Sequence, residues 1–283
     1  MTTGPDPRIT PWRSDIAAAH LEGQVEAERF VEGRTMQVTA TSAPLRAAPR
    51  GDARMVTEAL HGERMTVYED RDGWVWGQLE SDGYVGYAER AGLGEDLLEP
   101  THRVAVPRTF LFPEPDIKSV PIGPLSLNSQ IRVDGPEGDF MAVVPRGFIY
   151  ARHLVPLGQF AADPVAVAES LLGAPYLWGG KQSTGLDCSG LIQVSLTAAG
   201  IACPRDSDMQ ERELGTPVDP GDLSRLQRGD LVFWRGHVGI MANDRDLIHS
   251  NAYHLLTARE PLAEPIARAA GHSPVTAIRR LAQ

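Results

Sequence analysis

The hydrophobic texture of the chain changes at about Gly158, and this change limits the fold more than any other feature of the sequence. Upstream, short alternating runs at 36–40, 65–68, 74–79 and 84–88 are split by turn formers: Pro44, Pro49-Arg50-Gly51-Asp52, Asp72-Gly73 and Asp82-Gly83. Period-two runs bounded by Gly, Pro and Asp read as strands, and strands this short and frequent read as a small β-barrel over 36–98. A second stretch, 99–158, repeats the rhythm with runs at 103–106, 129–133, 140–144 and 147–150. Each stretch closes on an aromatic-glycine strand and a short turn, at Tyr84-Val85-Gly86-Tyr87 and at Gly147-Phe148-Ile149-Tyr150. Two divergent copies of one small β fold are therefore expected. Ahead of them, residues 1–35 read as an N-terminal extension with a Pro-rich start and a helical segment over 15–31.

Downstream, over 159–283, helices come first. Asp163-Pro164 has the form of an N-cap followed by proline at the first helical position, with the helix over 165–172 and Gly173 ending it. A second helix is expected from Asp187-Cys188 to Ala199, where Gly200 suits the left-handed C-terminal position. Strands are expected at 230–234, 237–242, 247–251 and 275–279, so this part reads as an α+β domain.

Charge and composition exclude several functions. The formal net charge is −10 over 283 residues. A nucleic-acid partner needs a basic face, and no Lys/Arg run exists. No apolar run approaches the roughly 20 residues that span a bilayer, so no membrane partner is expected. The first residues lack a basic segment followed by an apolar one, so the expected location is cytoplasmic. The two cysteines, Cys188 and Cys203, are then expected to stay reduced.

Cys188 stands apart from an ordinary buried thiol because Asp187-Cys188-Ser189-Gly190 is a polar sequence that opens a helix. Free backbone N–H groups and the positive end of the helix dipole there are expected to favour the thiolate, while Asp187 opposes it unless backbone donors occupy its carboxylate. Cys203, between Ala202 and Pro204, reads as packing. A cysteine nucleophile needs a base. His237 begins one strand and His249 closes the next, and the polar turn 243–246 joins the two as a hairpin. For both rings to share a face, paired residue numbers must sum to an even value, whereas a four-residue turn gives the opposite parity. Zinc is the competing use of Cys and His, but the paired spacings of a zinc site are missing, and no cofactor is expected. The remaining histidines, His254 among them, read as surface. Arg205 and Asp206 read as a structural ion pair.

Tyr176-Leu177-Trp178-Gly179-Gly180, Gly185-Leu186-Asp187-Cys188-Ser189-Gly190-Leu191, Pro204-Arg205-Asp206-Ser207 with Gln210, Arg228-Gly229-Asp230-Leu231, His237-Val238-Gly239-Ile240 and Ile248-His249 together resemble the NlpC-type murein endopeptidases. The upstream β stretches are similar to the bacterial SH3-like domains of γ-D-glutamyl-L-diamino acid endopeptidases. The resemblance implies a papain-like cysteine peptidase domain preceded by two small SH3-like β-barrels. It also implies hydrolysis of the bond between γ-D-Glu and a diamino acid. Carried over, it implies Cys188, His237 and His249 as the triad, Tyr176 at the oxyanion, and Asp187, Ser189 and Ser207 lining the pocket for L-Ala-D-Glu. It further implies that Glu58 and Tyr84, with Tyr87 as the alternative tyrosine, hold the free amine of L-Ala. The implied partner is a small murein peptide, in cell-wall peptide recycling. An amidase or acyltransferase acting on intact murein, and a non-catalytic wall-binding protein, are the competing readings.

Overall fold

The computed structural model describes residues 4–281 and divides the chain after Leu157 into two units. The helix expected over 15–31 does not form. That segment instead gives strands Trp12–Arg13, Ile16–Ala18 and Phe30–Val31 around one 3-10 turn, Ala19–Leu21. Alanine favours helix by only a few tenths of a kcal/mol per residue relative to its peers. Burial outweighs that preference: Ile16, Ala17 and Ala18 are fully buried, and Ile16 packs with Trp76 and Val85.

The first β stretch forms a seven-stranded sheet in the order Leu93–Gly94, Arg34–Val38, Arg64–Arg71, Trp74–Leu79, Val85–Glu89, Ser42–Arg46, Met55–Leu60. Its first and last strands are not paired with each other among the described residues, so no closed barrel is found where a small β-barrel was expected. Strand Ser42–Arg46 was hidden by Pro44, which reads as a turn former. It is tolerated because this strand meets Val85–Glu89 only at Arg46 and Tyr87, leaving Pro44 without a ladder partner on that side. Met36, Val38, Leu45, Met65, Val75 and Leu79 fill the core.

No closed barrel is found in the second stretch either. It forms three small sheets: Gln130–Ile131 with His102–Val104 and Leu154–Pro156; Arg108–Leu111 with Gly123–Ser126; and Val133–Glu137 with Phe140–Val143 and Phe148–Tyr150. They enclose Val104, Leu125, Ile131 and Ile149.

Among its described residues the C-terminal unit has four α-helices: α1 Pro164–Ser170, α2 Cys188–Ala198, α3 Ser207–Glu213 and α4 Ala263–Ala269. The last two, and the strand Leu256–Pro261, were not foreseen. An antiparallel sheet runs Thr216–Val218, Val275–Arg280, Leu231–Trp234, His237–Met241, Asp246–Asn251, Leu256–Pro261. Helix α2 packs on its central strands and is buried all round apart from Thr197, where the sequence indicated a single buried face. Its start is set by Asp187, and Gly200 after it takes φ +78°.

Helix α1 starts as the sequence indicates, with the Val165 N–H donating to Asp163 Oδ1 at 2.8 Å. Asp163→Ala is expected to cost about 1 kcal/mol in denaturant unfolding, since the exposed partner Arg228 adds little to the cap.

Candidate active site

Cys188 is the first residue of α2, and the residue before it organises the site. The Asp187 carboxylate accepts the N–H of Gly190 at 2.7 Å on Oδ1 and the N–H of Gly179 at 2.8 Å on Oδ2. Backbone donors thus occupy it, as expected, but they are not alone. Arg205, 1% exposed, donates to both oxygens at 2.9 and 2.7 Å, and also to Ser189 Oγ at 2.8 Å. Arg205 thus has Asp187 as a partner that the sequence did not single out, because its planar fork fits a buried carboxylate. Gly190 is required here, since a Cβ would stand 2.2 Å from the Gly180 carbonyl oxygen and 2.9 Å from Asp187 Oδ1.

The Cys188 thiol is not depressed. Burial, then the Asp187 charge, push it up to about 12, while the Val238 N–H, Arg205 and the Ser189 N–H pull the other way. The helix start supplies donors, but desolvation of a buried sulfur outweighs them, so the expectation of a resting thiolate is corrected. Tyr176 lies on the segment bridged to Leu186, its N–H donating to the Leu255 carbonyl at 2.9 Å. Burial, then Cys188 and Asp187, push its hydroxyl up to about 12, so it remains a hydrogen-bond donor.

The two histidines meet. His237 Nε2 and His249 Nδ1 are 2.8 Å apart. The hairpin pairs Ile240 with Ile248 and Met241 with Leu247, the even register that this contact demands. Asp246 belongs to the strand and its carbonyl accepts the Ala242 N–H at 2.7 Å, so three residues, 243–245, lie inside that last contact. The loop is held by Asn243 Oδ1, which accepts the N–H groups of Arg245 and Asp246 at 2.8 and 2.7 Å. That side-chain turn removes the parity conflict posed by a four-residue turn. Burial, then His249 and Arg268, bring His237 down to about 3, with Glu260 opposing.

Sequence reasoning missed Glu260. Its Oε1 lies 2.7 Å from His249 Nε2, and Arg268 Nη1 donates to its Oε2 at 2.9 Å. Burial raises this carboxyl, but the Arg268 and His249 hydrogen bonds prevail and leave it at about 2. Strand register places it there: His249 faces Ala258, and Glu260 is the next residue on the same face. No alternation in 256–261 marks that strand, so the sequence carried no signal for it. His254, expected at the surface, also lies 3.4 Å from Glu260.

Ser207 opens α3, which Gln210 ties to α2 by donating to the Ser189 and Pro204 carbonyls at 3.0 and 2.9 Å. Cys188, His237, His249, Tyr176, Asp187, Ser189 and Ser207 thus all belong to the C-terminal unit. Glu58 and Tyr84 belong to the N-terminal unit, and both are buried. The Tyr84 ring is part of that unit's apolar core, whereas the half-buried Tyr87 hydroxyl accepts from Arg13 Nη1 at 2.7 Å. Among the described residues no group of three or more His, Cys, Asp or Glu converges on a metal position, and no helix is long and apolar enough to cross a membrane.

Residues 173–270 match the model of the NlpC/P60 family, and residues 45–93 match that of the bacterial dipeptidyl-peptidase Sh3 domain. Dipeptidyl-peptidase 6 of Lysinibacillus sphaericus is 28% identical over 238 residues, covering 76% of this chain and 86% of that protein. The gamma-D-glutamyl-L-lysine dipeptidyl-peptidase of Bacillus subtilis is 27% identical over 236 residues, 74% of this chain and 77% of that one. The crystal structure of an NlpC/P60 family protein from Bacillus cereus superposes with a TM-score of 0.73, covering 87% of this chain and 99% of that one, at 22% identity. This last likeness is one of fold.

Proposed function

We propose that this chain, with residues 173–270 matching the NlpC/P60 family after an SH3-like match at 45–93, is a cysteine peptidase that hydrolyses the amide between γ-D-Glu and an L-diamino acid in murein peptides that carry a free N-terminal L-Ala. The observation that carries the reading is the pair of 2.8 and 2.7 Å contacts that link His237, His249 and Glu260 on the sheet against which α2 begins with Cys188. The names of the Lysinibacillus and Bacillus relatives support the substrate class, because a dipeptidyl-peptidase releases a dipeptide from a free N-terminus.

Thiol and imidazole rest neutral, since burial disfavours the charged form of each. His237 takes the Cys188 proton as the sulfur attacks the γ-carbonyl of D-Glu. The oxyanion is held by the Cys188 backbone N–H and the Tyr176 hydroxyl. Collapse breaks the amide bond, and protonated His237 gives its proton to the departing diamino acid amine. Water, deprotonated by His237, then hydrolyses the thioester and releases L-Ala-D-Glu. In this reading Ser189 and Ser207 line the pocket for L-Ala-D-Glu. Asp187 acts there through the residues it holds in place. A demand for a free amine suits a peptide already released from the wall, and a role in recycling such peptides is part of this reading.

The test compares L-Ala-γ-D-Glu-meso-diaminopimelate, its L-Lys counterpart and the N-acetylated form of each. Acetylation removes a charge that the site must otherwise pair, so kcat/KM is expected to fall by about 100-fold or more. Equal cleavage of the acetylated peptides would overturn the free-amine requirement, and cleavage of intact murein in place of free peptide would move the assignment to an amidase or acyltransferase acting on the wall.

A further inference from the structure

The relay continues past His249 to a carboxylate. Glu260 has a side chain only 10% exposed, and Arg268, His254 and His249 all reach it. Arg268 comes from α4, with its guanidinium 4.3 Å from the Tyr253 ring, and Glu264 also acts on it. His254 approaches from the turn before the strand.

These contacts determine where the protons sit. A carboxylate can only accept, so His249 must carry its proton on Nε2, the atom 2.7 Å from Glu260. The Nδ1 atom of neutral His249 is then bare and can only accept. His237 Nε2, 2.8 Å away, must therefore donate, which leaves Nδ1 of His237 as its free lone pair. We propose that Glu260, held ionised by Arg268, is a positioning residue that sets the tautomers of both histidines and thereby selects His237 Nδ1 as the base for Cys188. The proposal rests on the reading of Cys188 and His237 as nucleophile and base. It adds a second function to the same carboxylate: when His237 takes the proton, the new positive charge lies two hydrogen bonds from Glu260, and Arg268 opposes it from behind.

The two charges on this clamp predict opposite pH effects in the full chain. Glu260→Gln removes an attraction for imidazolium, so the acid limb of kcat/KM is expected to move to lower pH. Arg268→Gln removes a repulsion, so that limb is expected to move to higher pH. Glu260→Ala is expected to lower kcat by about 10- to 100-fold with KM little changed, and Glu260→Asp to recover part of the loss. A merely structural clamp would move both limbs together or not at all, and that result would overturn the proposal. In wild-type protein labelled with 15N-histidine, NMR should show His237 and His249 both as Nε2–H tautomers. A proton on His249 Nδ1 would overturn the proposal even if every variant failed to fold. Full turnover by Cys188→Ala would sink the nucleophile reading alone, because the NMR result reports on the relay independently.

Discussion

Cys188→Ala is expected to lower turnover of L-Ala-γ-D-Glu-meso-diaminopimelate by about four orders of magnitude or more, measured as release of free diamino acid. Removing the nucleophile of a covalent mechanism leaves only binding and oxyanion donors, and members of such a unit fail together rather than in proportion. Cys203→Ala is the matched control and should keep its turnover, since that thiol, which donates to the Pro204 carbonyl at 3.4 Å, has no part in the proposed chemistry. The environment of Cys188 adds a second readout. With the thiol up at about 12, alkylation of the free enzyme should be slow at pH 7 and should rise about tenfold per pH unit through the alkaline range. Rapid labelling at neutral pH with no such rise would mean that the thiol is depressed, and the neutral resting pair would be wrong.

Arg205→Met is expected to destabilise the C-terminal unit by about 3–5 kcal/mol in denaturant unfolding. Arg205 and Asp187 side chains are 1% and 10% exposed, so solvent screens their pairing little. Removing the guanidinium leaves the Asp187 carboxylate buried with backbone N–H donors and no counter-charge, next to the sulfur. The double variant Asp187→Asn with Arg205→Met should recover part of the loss, because it removes both charges and leaves no ion uncompensated. A loss below about 1 kcal/mol in the single variant would show that water reaches the pair. Activity should fall with stability here, since the same carboxylate holds the N–H groups of Gly179 and Gly190 that shape the start of α2.

Much of the site was legible because its signals are local. An Asp that caps a helix, a Pro at its first position and a Gly after its end all act within one turn, so α1 and α2 could be bounded from neighbouring residues alone. The placement of Cys188 at a helix start and of His237 and His249 on a hairpin followed from the same short-range reading. Less was legible where local preference competed with burial. The Ala-rich segment 15–31 has helical composition and forms strands because its apolar residues complete a core assembled from positions far along the chain.

The sequence by itself determined which residues can do chemistry and which elements carry them, because side-chain identity, capping and hydrophobic period are properties of neighbouring residues. Tertiary structure alone decided the even register of the hairpin, the partner of Arg205, the arrival of Glu260 behind His249 and the protonated state of the Cys188 sulfur. Each of these depends on distances between residues remote in the chain, or on the exclusion of water, and neither quantity exists until the chain has folded.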